Sequence, residues 1–123
     1  MSEGYEKSAW EQGPRAEEFR QRWHEYDWQL VREGPRPAEM HMALDEVLTY
    51  AVGRGERKPT LRIWEWNTNA VILGRFQSVR NEVNEETANE MGVTISRRMT
   101  GGGAMLVEPG GSITYTIAAP ESL

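Results

Sequence analysis

"TLRIWEWNTNAVILG" (Thr60–Gly74) contains two short runs rich in β-branched and aromatic residues, Thr60 to Asn67 and Ala70 to Gly74, with Thr68 and Asn69 between them. Such runs suit a pleated, half-buried surface, and turn-forming residues between them predict the two strands of a hairpin. Working outward, Met40, Ala43, Leu44, Val47, Leu48, Ala51 and Val52 recur at helical spacing before the strands, and Gly53 and Gly55 stop the run. "WQLV" (Trp28–Val31), closed by Gly34, Pro35 and Pro37, reads as a short strand. On the C-terminal side, Asn84 caps a predicted helix over Glu85 to Met91, ended by Gly92. "VTIS" (Val93–Ser96) follows as a strand, and "AMLV" and "SITYTI" read as a second hairpin around "EPGG" (Glu108–Gly111). Helices and strands in this order point to an α+β class. The sequence ends at "IAAPESL" directly after a strand, so the architecture reads as incomplete at the C-terminus. The apolar faces of "SITYTI" and "AVILG" are then expected to stay partly exposed and to favour association.

The chain has 123 residues, enough for one domain or a piece of one. Residues 1–25 are polar and charged, with Gly13 and Pro14 breaking them and a short amphipathic helix possible from Arg15 to Tyr26. They read as an N-terminal extension to a domain over residues 26–123. A net charge of −5 argues against gripping nucleic acid phosphates, which needs clustered cations. The absence of cysteine excludes a disulfide framework, a thiol nucleophile and a thiolate metal site. No apolar run approaches a membrane span and the N-terminus lacks a secretory pattern, so no membrane partner and a cytoplasmic location are expected.

"ISRRMTGGGAMLVEPGG" (Ile95–Gly111) places three glycines beside two arginines. Without Cβ atoms, such a loop lets main-chain N–H groups converge on an anion, and Arg97 and Arg98 could neutralise phosphate or carboxylate. It could equally be a flexible turn whose arginines face water. The spacing is neither a Walker loop nor a dinucleotide fingerprint. Asp45 and Glu46 read as solvated or capping groups on the polar side of the first long helix, with no catalytic role. His24 and His41 lack the neighbouring ligands of a metal site.

Taken together, "GPRPAEMHMALDEVL" (34–48), "LRIWEWNTNAVILGRFQ" (61–77), "EVN" (82–84) and "RRMTGGGA" (97–104) resemble, in order and spacing, the lipoate-protein ligase and octanoyl/lipoyl transferase family, related to biotin protein ligases. The resemblance runs from about Asp27 to Ile117. It implies the N-terminal part of a catalytic domain with a mixed sheet and flanking helices. It further implies that Arg97, Arg98, Thr100, Gly101, Gly102, Gly103 and Ala104 line an acyl-adenylate site. Trp64 would form part of the acyl wall, or simply pack in the core, while Gly74 and Arg75 close the neighbouring strand. The implied reaction activates lipoate or octanoate with ATP and Mg, then transfers the acyl group to a lysine of a lipoyl carrier domain.

The sequence departs from the family in three places. Val107, Glu108 and Pro109 stand where many members have a histidine soon after the glycines, and His41 stands where asparagine is common. Family ligases use a downstream lysine and the cysteine-dependent transferases a downstream cysteine, yet the only lysines here are Lys7 and Lys58. A second chain, or a C-terminal part, is therefore expected to supply the catalytic lysine. The alternatives are an acyltransferase working without ATP, and a non-catalytic subunit of a split ligase.

Overall fold

The computed structural model describes residues 13–123. Among them, helix α1 spans Pro14–Glu25, β1 Gln29–Arg32, α2 Ala38–Gly53, β2 Thr60–Glu65 and β3 Ala70–Leu73. Then come the short helices α3 (Val79–Glu82) and α4 (Glu85–Glu90), and the strands β4 (Thr94–Arg97), β5 (Met105–Val107) and β6 (Ile113–Ala118). The Asn84 side chain accepts from the Thr87 N–H at 3.0 Å, the N-cap expected from the sequence. Gly55 (φ 72°) and Gly92 (φ 68°) take left-handed conformations just past α2 and α4, where a side chain would be strained. Of the segment read as an extension, residues 1–12 lie outside the described residues. The remainder carries α1, whose Trp23 stacks on Trp28 at 4.4 Å between ring centroids.

Two mixed three-stranded sheets form, ordered β1-β2-β6 and β4-β3-β5. In each, the central strand has one parallel and one antiparallel neighbour: β2 runs parallel to β1 and antiparallel to β6, and β3 parallel to β4 and antiparallel to β5. Neither predicted hairpin exists. The favoured two-residue hairpin between β2 and β3 uses a primed turn with φ > 0, and no non-glycine residue among those described has positive φ, so Thr68 and Asn69 do not make one. The chain instead continues past β2 to bridge Trp66 with Arg36 and then crosses into the second sheet. At "EPGG" a turn does close, with Gly111 N–H on the Glu108 carbonyl at 3.2 Å and Gly110 at φ 70° behind Pro109. That is a type II pattern, whose twist splays flanking strands, and β5 and β6 accordingly join different sheets.

Helix α2 lies across both sheets, touching β4 of one and β6 of the other. The main core gathers Ala38, Trp64, Trp66, Ala70, Ile72 and Val107, with Met42 packed against it. The two indoles are its largest side chains, and truncating either to alanine is expected to cost about 3–5 kcal/mol. The buried stripe of α2 is not the one its apolar residues suggest. Ala38, His41, Leu48 and Val52 are buried, whereas Met40, Val47 and Tyr50 are exposed. Polar His41 and half-buried Asp45 face inward because Arg62 of β2 is there to receive them. "AVILG" is not an exposed face: Ala70, Ile72 and Leu73 are at most 1% accessible. "SITYTI" does leave Ile113, Tyr115 and Ile117 open to solvent, on the side of the sheet turned away from the Thr114, Thr116 and Ala118 positions.

Candidate functional site

Between α2, the two sheets and the glycine loop lies a cavity of about 390 Å³. Met42, Trp64, Trp66, Ile72 and Met105 give it apolar walls, Asp45, Thr49, Thr114 and Thr116 a polar strip, and Arg98, Met99 and Thr100 its border with the loop. A pocket of this size and mixed lining suits a small apolar molecule with one polar end. Trp64 is 1% exposed, and its indole N–H has no hydrogen-bond partner among the described residues. Its ring is therefore both core and cavity wall. Trp66, two residues on, shares that strand face through the period-2 alternation of side chains, and its N–H donates to the Thr114 hydroxyl at 2.9 Å.

The loop is shaped by its arginines. Arg98 donates to the carbonyls of Gly101 (3.2 and 2.7 Å), Gly103 (2.8 Å) and Ile72 (3.2 Å). Arg97 uses one nitrogen to gather the carbonyls of Gly74 (2.8 Å), Arg75 (3.2 Å) and Gln77 (2.6 Å). Both guanidiniums thus bind main chain, where the sequence suggested free charge for an anion. The carbonyls of Thr100, Gly101 and Gly103 take protein donors, while the N–H groups of Gly101, Gly102, Gly103 and Ala104 donate to no protein acceptor among the described residues. Gly102 has φ 99°, and Gly74 approaches so closely that a Cβ there would overlap the Gly102 carbonyl oxygen. This placement of the loop against β3 needs bare backbone at both positions.

Arg75 lies beside the glycine loop and does not itself line the cavity. Its own N–H donates to the Thr100 carbonyl at 2.8 Å, and its exposed guanidinium lies 5.5 Å from the ring centroid of Phe76. Among the described residues that guanidinium has no ion pair or hydrogen bond, so Arg75, unlike Arg97 and Arg98, keeps its charge available.

Asp45 is neither solvated nor a cap. It accepts from Arg62 at 2.9 Å and from the Thr116 hydroxyl at 2.8 and 2.9 Å, and it borders the cavity. Glu46 is exposed. His41 is fully buried; desolvation depresses its imidazole below the usual 6.5, and the Arg62 charge adds to this, against the opposing hydrogen bond to the Glu65 carbonyl. His24 is exposed on α1, remote in sequence from every cavity residue. Among the described residues no cluster of histidine and carboxylates could hold a metal ion, and no helix is long and apolar enough to cross a membrane. Lys58 pairs with Asp27 on the surface and does not line the cavity; Lys7 lies outside the described residues.

The fold and sequence are similar to those of known proteins. The octanoyltransferase LipM of Symbiobacterium thermophilum is 40% identical over 99 residues, covering 80% of this chain and 35% of its own length. The octanoyltransferase LipM of Staphylococcus aureus is 34% identical over 95 residues, covering 77% and 34%. The chain therefore spans about a third of the curated relatives it matches. Among solved structures, the bi-partite lipoate protein ligase of Thermoplasma acidophilum superposes with a TM-score of 0.59 at 27% identity, covering 75% of this chain and 35% of that one. LipL1 of P. falciparum, solved with lipoate, shares the fold with a TM-score of 0.65 at 24% identity over 74% of this chain and 30% of its own. With the lipoyl protein ligase A/B catalytic domain matching residues 37–122, two mixed sheets around an apolar cavity and a glycine loop at its border, the chain belongs to the lipoyl protein ligase A/B catalytic domain family.

Proposed function

We propose that this chain supplies the acyl-binding part of a site that attaches octanoyl or lipoyl groups to a lysine of lipoyl carrier domains. The observation that carries the reading is the junction of the apolar cavity with a loop in which the Gly101 and Gly103 carbonyls are tied down and the N–H groups of residues 101–104 have no protein acceptor among the described residues. An acyl chain fits against Trp64, Trp66 and Ile72, and its carbonyl or acyl-phosphate head meets Gly101, Gly102, Gly103 and Ala104, with Arg75 as the added charge. Arg97, Arg98, Thr100 and Gly74 act by holding the loop in shape. Such a site would stabilise developing negative charge through fixed dipoles and align the acyl group for attack.

Two donors are in contention. The higher identity to octanoyltransferases favours transfer of an existing acyl group without ATP. The superposition at a TM-score of 0.59 and 28% identity on lipoate-protein ligase A bound with ATP supports adenylation. In that case the loop N–H groups and Arg75 would take phosphate oxygens. Mg arriving with ATP would supply further charge neutralisation there. The attacking or relaying lysine or cysteine would come from a second polypeptide or from further sequence.

The test uses an apo lipoyl carrier domain as acceptor and reads its mass. One arm offers an octanoyl thioester on another carrier, the other octanoate with Mg-ATP, and octanoate binding to the chain is followed by calorimetry. Acylation from the thioester alone identifies a transferase, and acylation from octanoate and ATP a ligase. Binding without acylation in either arm identifies the chain as the acyl-holding part only, the result expected for Met1–Leu123 by itself. Failure to bind octanoate in any arm would overturn the reading.

A further inference from the structure

The cavity's stiff walls rest on a buried ionic hub. Arg62 of β2 is 2% exposed, and all five of its N–H donors have acceptors. Nε and Nη2 reach Glu33 Oε2 (3.0 and 2.8 Å), and Nη2 also reaches His41 Nδ1 (2.6 Å). Nη1 reaches Asp45 Oδ1 (2.9 Å) and the His41 carbonyl (3.3 Å). Its guanidinium carbon stands 4.1 Å from the Trp64 ring centroid. His41 Nε2 donates to the Glu65 carbonyl at 2.7 Å, which makes Nδ1 the acceptor for Arg62 and the ring neutral. The imidazole is wedged between the two indoles, 5.2 Å from Trp64 and 5.3 Å from Trp66.

We propose that His41 and Arg62 are positioning residues that set the acyl-chain length the cavity accepts, by immobilising Trp64. This rests on the reading that the cavity holds an acyl chain. Of the large apolar side chains in the wall, Met42 and Met105 are flexible and adapt to a ligand's shape, whereas the indoles yield only if their support does. A fixed wall discriminates one methylene by about 10- to 200-fold; a wall that gives way discriminates far less. Arg62 holds one face of Trp64, and His41 both orients Arg62 and fills the space against Trp66, so loss of His41 frees both.

Calorimetry with straight-chain fatty acids of six to twelve carbons tests this. The unmodified chain should show a steep fall of tenfold or more past a preferred length, and His41→Ala should flatten that step to less than threefold. His41→Asn, which keeps a donor and an acceptor, should retain the step. Fluorine NMR of 5-fluorotryptophan-labelled protein, with Trp64 assigned through Trp64→Phe, should give one narrow line for the unmodified chain and His41→Asn and a broadened or split line for His41→Ala. If His41→Ala does not fold, Arg62→Lys, which keeps the charge but loses the fork, takes its place. An unchanged profile, or the same proportional weakening at every length, would overturn the proposal. So would fatty acids bound by the unmodified chain without regard to length, which leaves the acyl reading intact; binding of no fatty acid at all brings down that reading and the proposal with it.

Discussion

Replacing Gly74 with alanine adds one methyl where β3 meets the glycine loop. Gly74 is not in the left-handed region, so its backbone admits alanine, and the reduced freedom of the unfolded chain alone would stabilise by about 0.4–1 kcal/mol. Against this, the new Cβ overlaps the Gly102 carbonyl oxygen and lies 3.2 Å from the Gly101 carbonyl carbon. Something must move by roughly 1 Å to restore ordinary contact. Strand β3 is the central strand of its sheet with Ile72 and Leu73 each 1% exposed, whereas Gly101, Gly102 and Gly103 are exposed. The loop therefore yields. Overpacking costs of about 1–3 kcal/mol fall to the low end when an exposed segment can shift, and net stability should change by no more than about 1 kcal/mol. Binding is another matter. An N–H···O bond stretched by roughly 1 Å from its normal length is no longer a bond, and losing two such bonds to a charged head, at about 1.5 kcal/mol each, removes about 3 kcal/mol. The expected result is a urea midpoint close to that of the unmodified chain, read by tryptophan fluorescence, with calorimetric affinity for octylphosphonate lower by about a hundredfold. Unchanged affinity in the folded variant would refute the placement of the ligand head at this loop.

Arg75→Ala should leave the melting curve unchanged and weaken octylphosphonate severalfold but not octanamide, as measured by calorimetry; equal losses would show that its charge is not used. Arg98→Ala should instead speed amide hydrogen exchange across residues 99–104, because the carbonyls of Gly101 and Gly103 lose their donor; unchanged exchange there would show the loop holds its own shape. Because burial depresses His41 below 6.5, the unfolded chain binds its proton more readily than the folded one. The stability this contributes is complete above pH 6.5 and lost as pH falls below that value toward the depressed one. Urea midpoints at pH 7.5 and 5.0 should therefore fall more for the unmodified chain than for His41→Asn. Ile113→Ser with Tyr115→Ser, on the exposed face of β6, should reduce self-association in sedimentation velocity without lowering the urea midpoint; unaltered sedimentation would place association elsewhere.

Sequence alone located most of the elements and the loop. Asn84 capping α4, Gly55 and Gly92 ending helices, and the β-branched runs of β2 and β3 are local signals, decided by a residue and its near neighbours. The motif "RRMTGGGA" marked the bare backbone that Gly102 requires. Pairing partners were not legible in the same way. Thr68 and Asn69 look like a turn, but whether a turn closes a hairpin depends on the sign of φ, which those residue types do not fix. Nor does an apolar count say which face of α2 is buried. Asp45 and His41 turn inward only because Arg62, 17 and 21 residues further on, is buried opposite them, and a buried charge demands partners whatever their helical position. The same holds for the arginines of the loop. A sequence shows that Arg75, Arg97 and Arg98 carry charge; only the folded chain, by bringing the carbonyls of β3 and the loop within reach of two of them, decides that Arg75 is the one whose guanidinium stays available.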